Sequence, residues 1–190
     1  MNQPFKYLRE DLEIRSKFLL QLITKNCAKN IKILELGCSV GRNLNILYHN
    51  GYKNLAGIEI NKQSIELMEE RYSEMYKTID IYTSTIENAI KHILDLEYDL
   101  IFSMAVLEHV HTDSEFIFRE IARITKTFLI TIEDESSKTW RHFPRDYNEV
   151  FSKVGFHQIE SICCKKESTG FNTNFVARVF QKNSTKNFTH

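Results

Sequence analysis

The chain has no net charge, no long apolar run and no metal-binding pattern of cysteines, and each absence narrows what it can do. Lys+Arg and Asp+Glu number 25 each, so no overall field draws the protein toward nucleic acid or an anionic membrane. Residues 1–17 set charges at short intervals and hold nothing like the apolar core of a signal peptide. No uncharged run approaches the roughly eighteen residues needed to span a bilayer. Cys27, Cys38, Cys163 and Cys164 show no metal-ligand spacing, and no residue is assigned to a metal. They read as buried free thiols in a reducing compartment, which makes the expected location cytoplasmic. Internal repeats and linkers are also missing. The 190 residues suit one domain over 1–182, with 1–28 as an N-terminal helix or lid and 183–190 as a flexible tail.

What the chain does have is an alternation of short β-rich runs and helical periods, which points to βαβ units. Strands are expected over 31–36, 55–60, 79–82, 98–103, 128–132, 158–165 and 174–181. Helices are expected over 7–25, 41–48, after Asn61, over 86–95, from a Thr112-x-x-Glu115 capping box, and over 146–154. The last two strands are joined through Gly170 too closely for a helical crossover, so they pair antiparallel. The expected fold is α/β: a Rossmann-like three-layer sandwich on a seven-stranded, mostly parallel sheet with an antiparallel last strand.

Between the first strand and its helix lies Glu35-Leu36-Gly37-Cys38-Ser39-Val40-Gly41-Arg42-Asn43. Glycines at 37 and 41 give a ligand clearance to approach the backbone, and the helix start adds free N–H groups and a positive dipole end. Eighteen residues beyond Gly41, Glu59 ends the second strand, where an acid can accept both hydroxyl protons of a ribose. A dinucleotide site would need Gly-x-Gly-x-x-Gly, but Ser39 holds the middle position and no third glycine follows. Gly37-Cys38-Ser39-Val40-Gly41 does match the Gly-x-Ser-x-Gly of a hydrolase elbow. That elbow follows several strands, and only 36 residues precede Gly37.

These segments resemble the class I S-adenosylmethionine-dependent methyltransferases, small-molecule branch. ILELGCSVGRN is similar to their first motif and GIEIN to the second strand with its ribose-binding acid; YTSTIEN resembles the adenine-edge segment. YDLIFSMAVLEHV and FSKVGF resemble the fourth-strand signature and the helix before the last hairpin, so the likeness spans 31–181. The resemblance implies S-adenosylmethionine as cofactor. Glu35 would order the first loop, while the backbones of Gly37, Cys38, Ser39 and Gly41 would wrap the methionine portion. Glu59 would hold the ribose and Ile60 one face of the adenine. Ser84 and Thr85 would meet the adenine edge, where the family's usual Asp is absent, and Ser103 and Met104 would close the pocket.

The acceptor half is read from loops at strand C-termini, where ligands bind in open parallel sheets. Glu133, Trp140, Arg141 and His142 are the candidate substrate contacts, and Tyr7 and Arg15 could cover the cofactor. His109 is the candidate base, since histidine's ordinary pKa of about 6.5 suits that task; the bland reading of Leu107–Val110 is a packed turn. No Asn/Asp-Pro-Pro-Tyr follows the fourth strand, which argues against the familiar nucleic-acid amine enzymes. The expected reaction moves a methyl group to an oxygen or nitrogen of a small-molecule acceptor, with no membrane partner. Alternatives are a protein or RNA methyltransferase and a catalytically silent cofactor-binding module. Oligomeric state is left open.

Overall fold

In the computed structural model, residues 4–9 and 12–183 are described. Seven strands lie in one sheet: β1 (Ile33–Leu36), β2 (Leu55–Glu59), β3 (Asp80–Thr83), β4 (Tyr98–Met104), β5 (Thr125–Asp134), β6 (Phe156–Cys163) and β7 (Phe175–Lys182). Their order is β3-β2-β1-β4-β5-β7-β6. Neighbours from β3 to β5 run parallel, and β7 is antiparallel to both β5 and β6. The reversed last strand expected from its short connection is therefore present.

Side-chain alternation sorts the central strands into two cores. Leu34, Leu36, Ala56, Ile58, Ile101 and Leu129 face α6 (Phe116–Ile124) and α7 (Tyr147–Ser152) through Ile117, Ile121 and Phe151. Ile33, Leu100, Phe102, Ile130 and Ile132 face α1 (Glu13–Asn26) and α2 (Arg42–His49) through Leu19, Ile23, Leu44 and Leu47. Layers on both faces explain why β1 and β4 read as nearly continuous apolar runs. Glu35 breaks that run on the α1/α2 side, and so is buried among apolar neighbours.

The helices α3 (Lys62–Arg71), α4 (Ser73–Tyr76), α5 (Ile86–Ala89) and α8 (Lys166–Thr169) complete the set. The helix expected over 7–25 starts at Glu13, behind a separate 3-10 turn at Pro4–Leu8, and Leu12 gives it no side-chain cap. The expected capping box does not form. The ring of His111 accepts the Asp113 N–H instead, and a 3-10 turn at Thr112–Ser114 leads into α6. The helix over 86–95 reduces to α5 and a 3-10 turn at Ile90–His92. β5 outruns its expected end because Glu133 and Asp134 still pair with Val176 and Phe175 of β7.

All four cysteines are free, but only Cys38 and Cys164 are buried; Cys163 is exposed and Cys27 intermediate. Partial burial raises the Cys27 thiol to about 12. Among the described residues no helix is long and apolar enough to cross a membrane. The expected tail lies, beyond Asn183, outside the described residues.

Candidate functional site

The turn after β1 coils through left-handed backbone. Gly37 has φ +68° and Gly41 φ +75°, a conformation that costs an L-residue about 1–2 kcal/mol. A Cβ on Gly37 would come within 2.6 Å of Val106 Cγ2, and one on Gly41 within 2.5 Å of Met68 Cγ. The glycines are thus demanded by the protein's own packing as well as by any ligand. Ser39 adopts φ 48° without glycine's freedom. Replacing Ser39 with glycine relieves that strain but frees the unfolded chain, so a net gain of about 0.5–1 kcal/mol is expected. Chemical denaturation measures it; a loss of stability would show that the Ser39 side chain makes a compensating contact.

Glu59 ends β2 beside this turn. Its Oε2 accepts the Ser39 N–H at 2.8 Å and its Oε1 the Asn61 N–H at 2.7 Å. Each oxygen keeps a lone pair, so a diol can still be accepted. Ile60 follows with 63% of its surface exposed, an apolar face open to a flat ring. Ser84 hydrogen-bonds back to the Glu59 carbonyl through its N–H, and the Thr85 hydroxyl accepts the Asn88 N–H to cap α5. All of these border one cavity of about 700 Å³, together with Glu35, Gly37, Cys38, Met104 and His109. Tyr7 and Arg15, the expected cover, border it too.

Glu35 lies at the floor of this cavity, 2% exposed. Arg42 Nε donates to Ser16 Oγ, Ser16 donates to Asn43 Oδ1, and Asn43 Nδ2 donates to Glu35 Oε1 at 2.7 Å. This chain ties α1 to the first turn. Glu35 Oε2 has no hydrogen-bond partner among the described residues. Burial pushes the Glu35 carboxyl up to about 8, against the opposing pull of Asn43 and Arg42.

The end of β4 is built differently from expectation. Ser103 is fully buried and does not border the cavity, whereas Met104 does. Glu133 is not a pocket wall. It is fully buried, accepts the Ser103 hydroxyl at 2.6 Å, and takes the Val106 and Glu108 N–H groups at 2.9 and 3.2 Å. Two strand ends sharing one carboxylate hold the 105–108 loop in place, with the Glu133 carboxyl raised to about 8 by burial. Ala105 has φ 56° where it borders the cavity, so both it and Ser39 store strain at the site. Glu135 pairs bidentately with Arg178 of β7.

Trp140 is 80% exposed with the Arg141 guanidinium 4.1 Å over its ring, and neither borders the cavity. Their segment does contribute a backbone contact: the Arg141 carbonyl accepts His109 Nδ1 at 2.8 Å. His142 packs against His109 with ring centroids 4.9 Å apart. Both imidazoles face buried Glu108, whose carboxyl is raised by desolvation.

Sequence reasoning missed Glu108, Asn43 and Ser16. The apolar run around Glu108 was the available signal, since a charge inside such a run is either paired or functional. Asn43 and Ser16 lie on different helices and left no local signal.

A strand order of 3-2-1-4-5-7-6 with a glycine turn after β1 and an acid after β2 defines a Rossmann-like methyltransferase fold. A family model described as a methyltransferase domain matches residues 34–127. A protein from Pyrococcus horikoshii OT3 superposes with a TM-score of 0.73 at 15% identity, covering 92% of each chain. Magnesium protoporphyrin IX methyltransferase from Synechocystis PCC 6803, solved with bound S-adenosylhomocysteine, gives 0.69 at 13% identity over 91% of this chain and 83% of that one. A Haloferax volcanii putative methyltransferase, in complex with the Trm112 activator, gives 0.74 at 13% identity over 94% and 93%. No curated relative matches the sequence significantly. The chain belongs to the class I S-adenosylmethionine-dependent methyltransferases, and S-adenosylmethionine is its cofactor. The residues fit that group: a buried acid with an unpartnered oxygen suits a cationic ligand, Glu59 suits a diol, and exposed Ile60 suits an aromatic ring.

Proposed function

We propose that the protein methylates an oxygen or nitrogen of a small-molecule acceptor that enters the cavity beside His109. The observation that carries this reading is the single cavity bordered by Glu59 and Ile60 as well as by His109. Its volume of about 700 Å³ falls within the range of small-molecule sites, about 300–1,000 Å³. In this reading Glu59 holds the ribose, and Ile60 packs on the adenine with Ser84 and Thr85 at its edge. The backbone of Gly37, Cys38 and Ser39 wraps the methionine portion over Glu35, beside Met104, while Gly41, expected among these contacts, does not border the cavity and packs against Met68. When bound, the cofactor supplies an electrophilic methyl group, so the protein's main task is alignment and exclusion of water. The N-terminal segment supports the second task, because Lys6, Tyr7, Leu12 and Arg15 all border the cavity.

His109 is the group that handles the acceptor's proton. Its Nδ1 is held by a carbonyl, which can only accept, so that nitrogen carries the hydrogen and Nε2 offers a lone pair. His109→Ala is expected to lower kcat about 100-fold or more, the usual range for acid–base groups, with cofactor affinity unchanged by calorimetry. Unchanged turnover would remove His109 from this role. The acceptor class is tested with labelled S-adenosylmethionine against metabolite, peptide and RNA pools. Label entering peptide or RNA alone would sink the small-molecule reading.

A further inference from the structure

We propose that Glu108, His109 and His142 form a site for a zinc-class divalent cation beside the cavity, which His109 alone of the three borders. The three ligand atoms, one from each side chain, lie within 4.8 Å of one another. Glu108 Oε1 is 3.7 Å from His109 Nε2 and 3.6 Å from His142 Nε2. Both separations are too long for hydrogen bonds. They are close to the spacing of atoms sharing one ion: bonds of about 2.0–2.2 Å in a tetrahedron put ligands roughly 3.3–3.5 Å apart. The three ligand atoms spread up to 4.8 Å, so the imidazoles must swing inward by about an ångström to share one ion, and both are accessible enough to do so.

The surroundings are organised as metal sites are. A metal-bound imidazole almost always has its other nitrogen anchored. Here His109 Nδ1 donates to the Arg141 carbonyl and His142 Nδ1 bonds the Thr139 hydroxyl at 2.7 Å, so both rings turn Nε2 toward the same point. Glu108 Oε2 accepts the Asp134 N–H, leaving Oε1 for that point. The Phe143 N–H bonds the Glu108 carbonyl at 2.8 Å and fixes the loop carrying His142 against the one carrying His109.

Two imidazoles and one carboxylate favour zinc, cobalt or iron(II) over magnesium or calcium, which prefer all-oxygen sets. Three protein ligands leave at least one position open, the arrangement of catalytic rather than structural zinc. The consequence for the acceptor rests on the function proposed above; cation binding does not. A hydroxyl on the open position loses its proton to solvent, as metal-bound water does near neutral pH. Its oxygen then forms the new O–CH3 bond as the S–CH3 bond breaks and leaves its electron pair on sulfur. With the cation bound, His109 Nε2 is a ligand and no longer takes the proton itself, so His109→Ala would lower turnover by loss of the cation rather than of a base.

The test uses the full chain, stripped with chelator and titrated with cobalt(II) alone by visible absorbance, with zinc as competitor. One equivalent should bind with a dissociation constant below about 10 μM, displaced by zinc, with the ligand-field bands of a nitrogen–oxygen site. His142→Ala, on an exposed loop, and Glu108→Gln should each weaken cobalt at least tenfold. His111→Ala, outside the cluster, should not. Absence of saturable binding, or wild-type affinity in a folded His142→Ala, overturns the site. Calorimetry with S-adenosylmethionine on the metal-free protein separates the two readings. Cobalt binding without cofactor binding would sink the functional proposal and leave the metal site standing.

Discussion

Glu59→Ala is expected to weaken S-adenosylmethionine binding about 100-fold in isothermal calorimetry. Hydrogen bonds to a charged group contribute about 1.5–3 kcal/mol each, and two ribose hydroxyls on one carboxylate correspond to a factor of about 100 at the low end of that range. The structure adds a second reason. Glu59 also holds the N–H groups of Ser39 and Asn61, so the variant releases the left-handed turn it binds against. Glu59→Gln keeps one acceptor oxygen and should fall between the two. An unaltered isotherm for the alanine variant would remove Glu59 from the ribose contact.

The second large effect is a pH dependence set by Glu35. Its carboxyl is raised to about 8 from a reference of 4.5 by burial, with Glu59 adding to the rise and Asn43 and Arg42 opposing it. Between those two values the folded protein holds a proton that the unfolded chain has released. The group's stabilising contribution is therefore complete below about 4.5 and is lost as pH rises to about 8. A cation bound in the cavity favours the ionised form, so cofactor binding displaces the proton. From pH 6 to 8 affinity should rise at least tenfold in wild type relative to Glu35→Gln, within the limit of about tenfold per pH unit for one proton. Parallel profiles for the two proteins would mean that the Glu35 carboxyl stays neutral with the cofactor bound. Thermal melts give the companion result, with wild type losing more stability than Glu35→Gln over the same range.

Most of the fold was legible because periodicity is local: strands of period two, helices of about 3.6, and a connection too short to cross over. The turn after β1 and the acid that ends β2 were legible for the same reason, since Gly37, Gly41 and Glu59 sit at fixed distances from strand ends. What failed depended on tertiary contacts. Glu133 looked like a pocket residue because it follows an apolar strand, but continued pairing with β7 carries it inward beneath the β4 loop. Trp140 and Arg141 fall in the right loop, yet their side chains stack on each other outside the cavity. His142 meets Glu108 only because β4 and β5 are adjacent and their loops are stitched together. No spacing rule joins residues separated by the whole of α6 and β5. The positive φ of Ser39 and Ala105 was equally hidden, because neither residue type advertises it.

The placement of β7 governs the order in which this molecule can assemble. It lies between β5 and β6 although it follows both in the chain. Until it arrives β6 has no strand to pair with, and the Val176–Glu133 and Phe175–Asp134 pairs that extend β5 beneath the β4 loop cannot form. Contacts this distant in sequence close slowly. A chain complete through β6 would thus hold the β3-β2-β1-β4-β5 part of its sheet while the opposite rim stayed an unformed edge. The turn after β1 and the acid ending β2 are written early in the polypeptide, and the support beneath the β4 loop waits for its final strand.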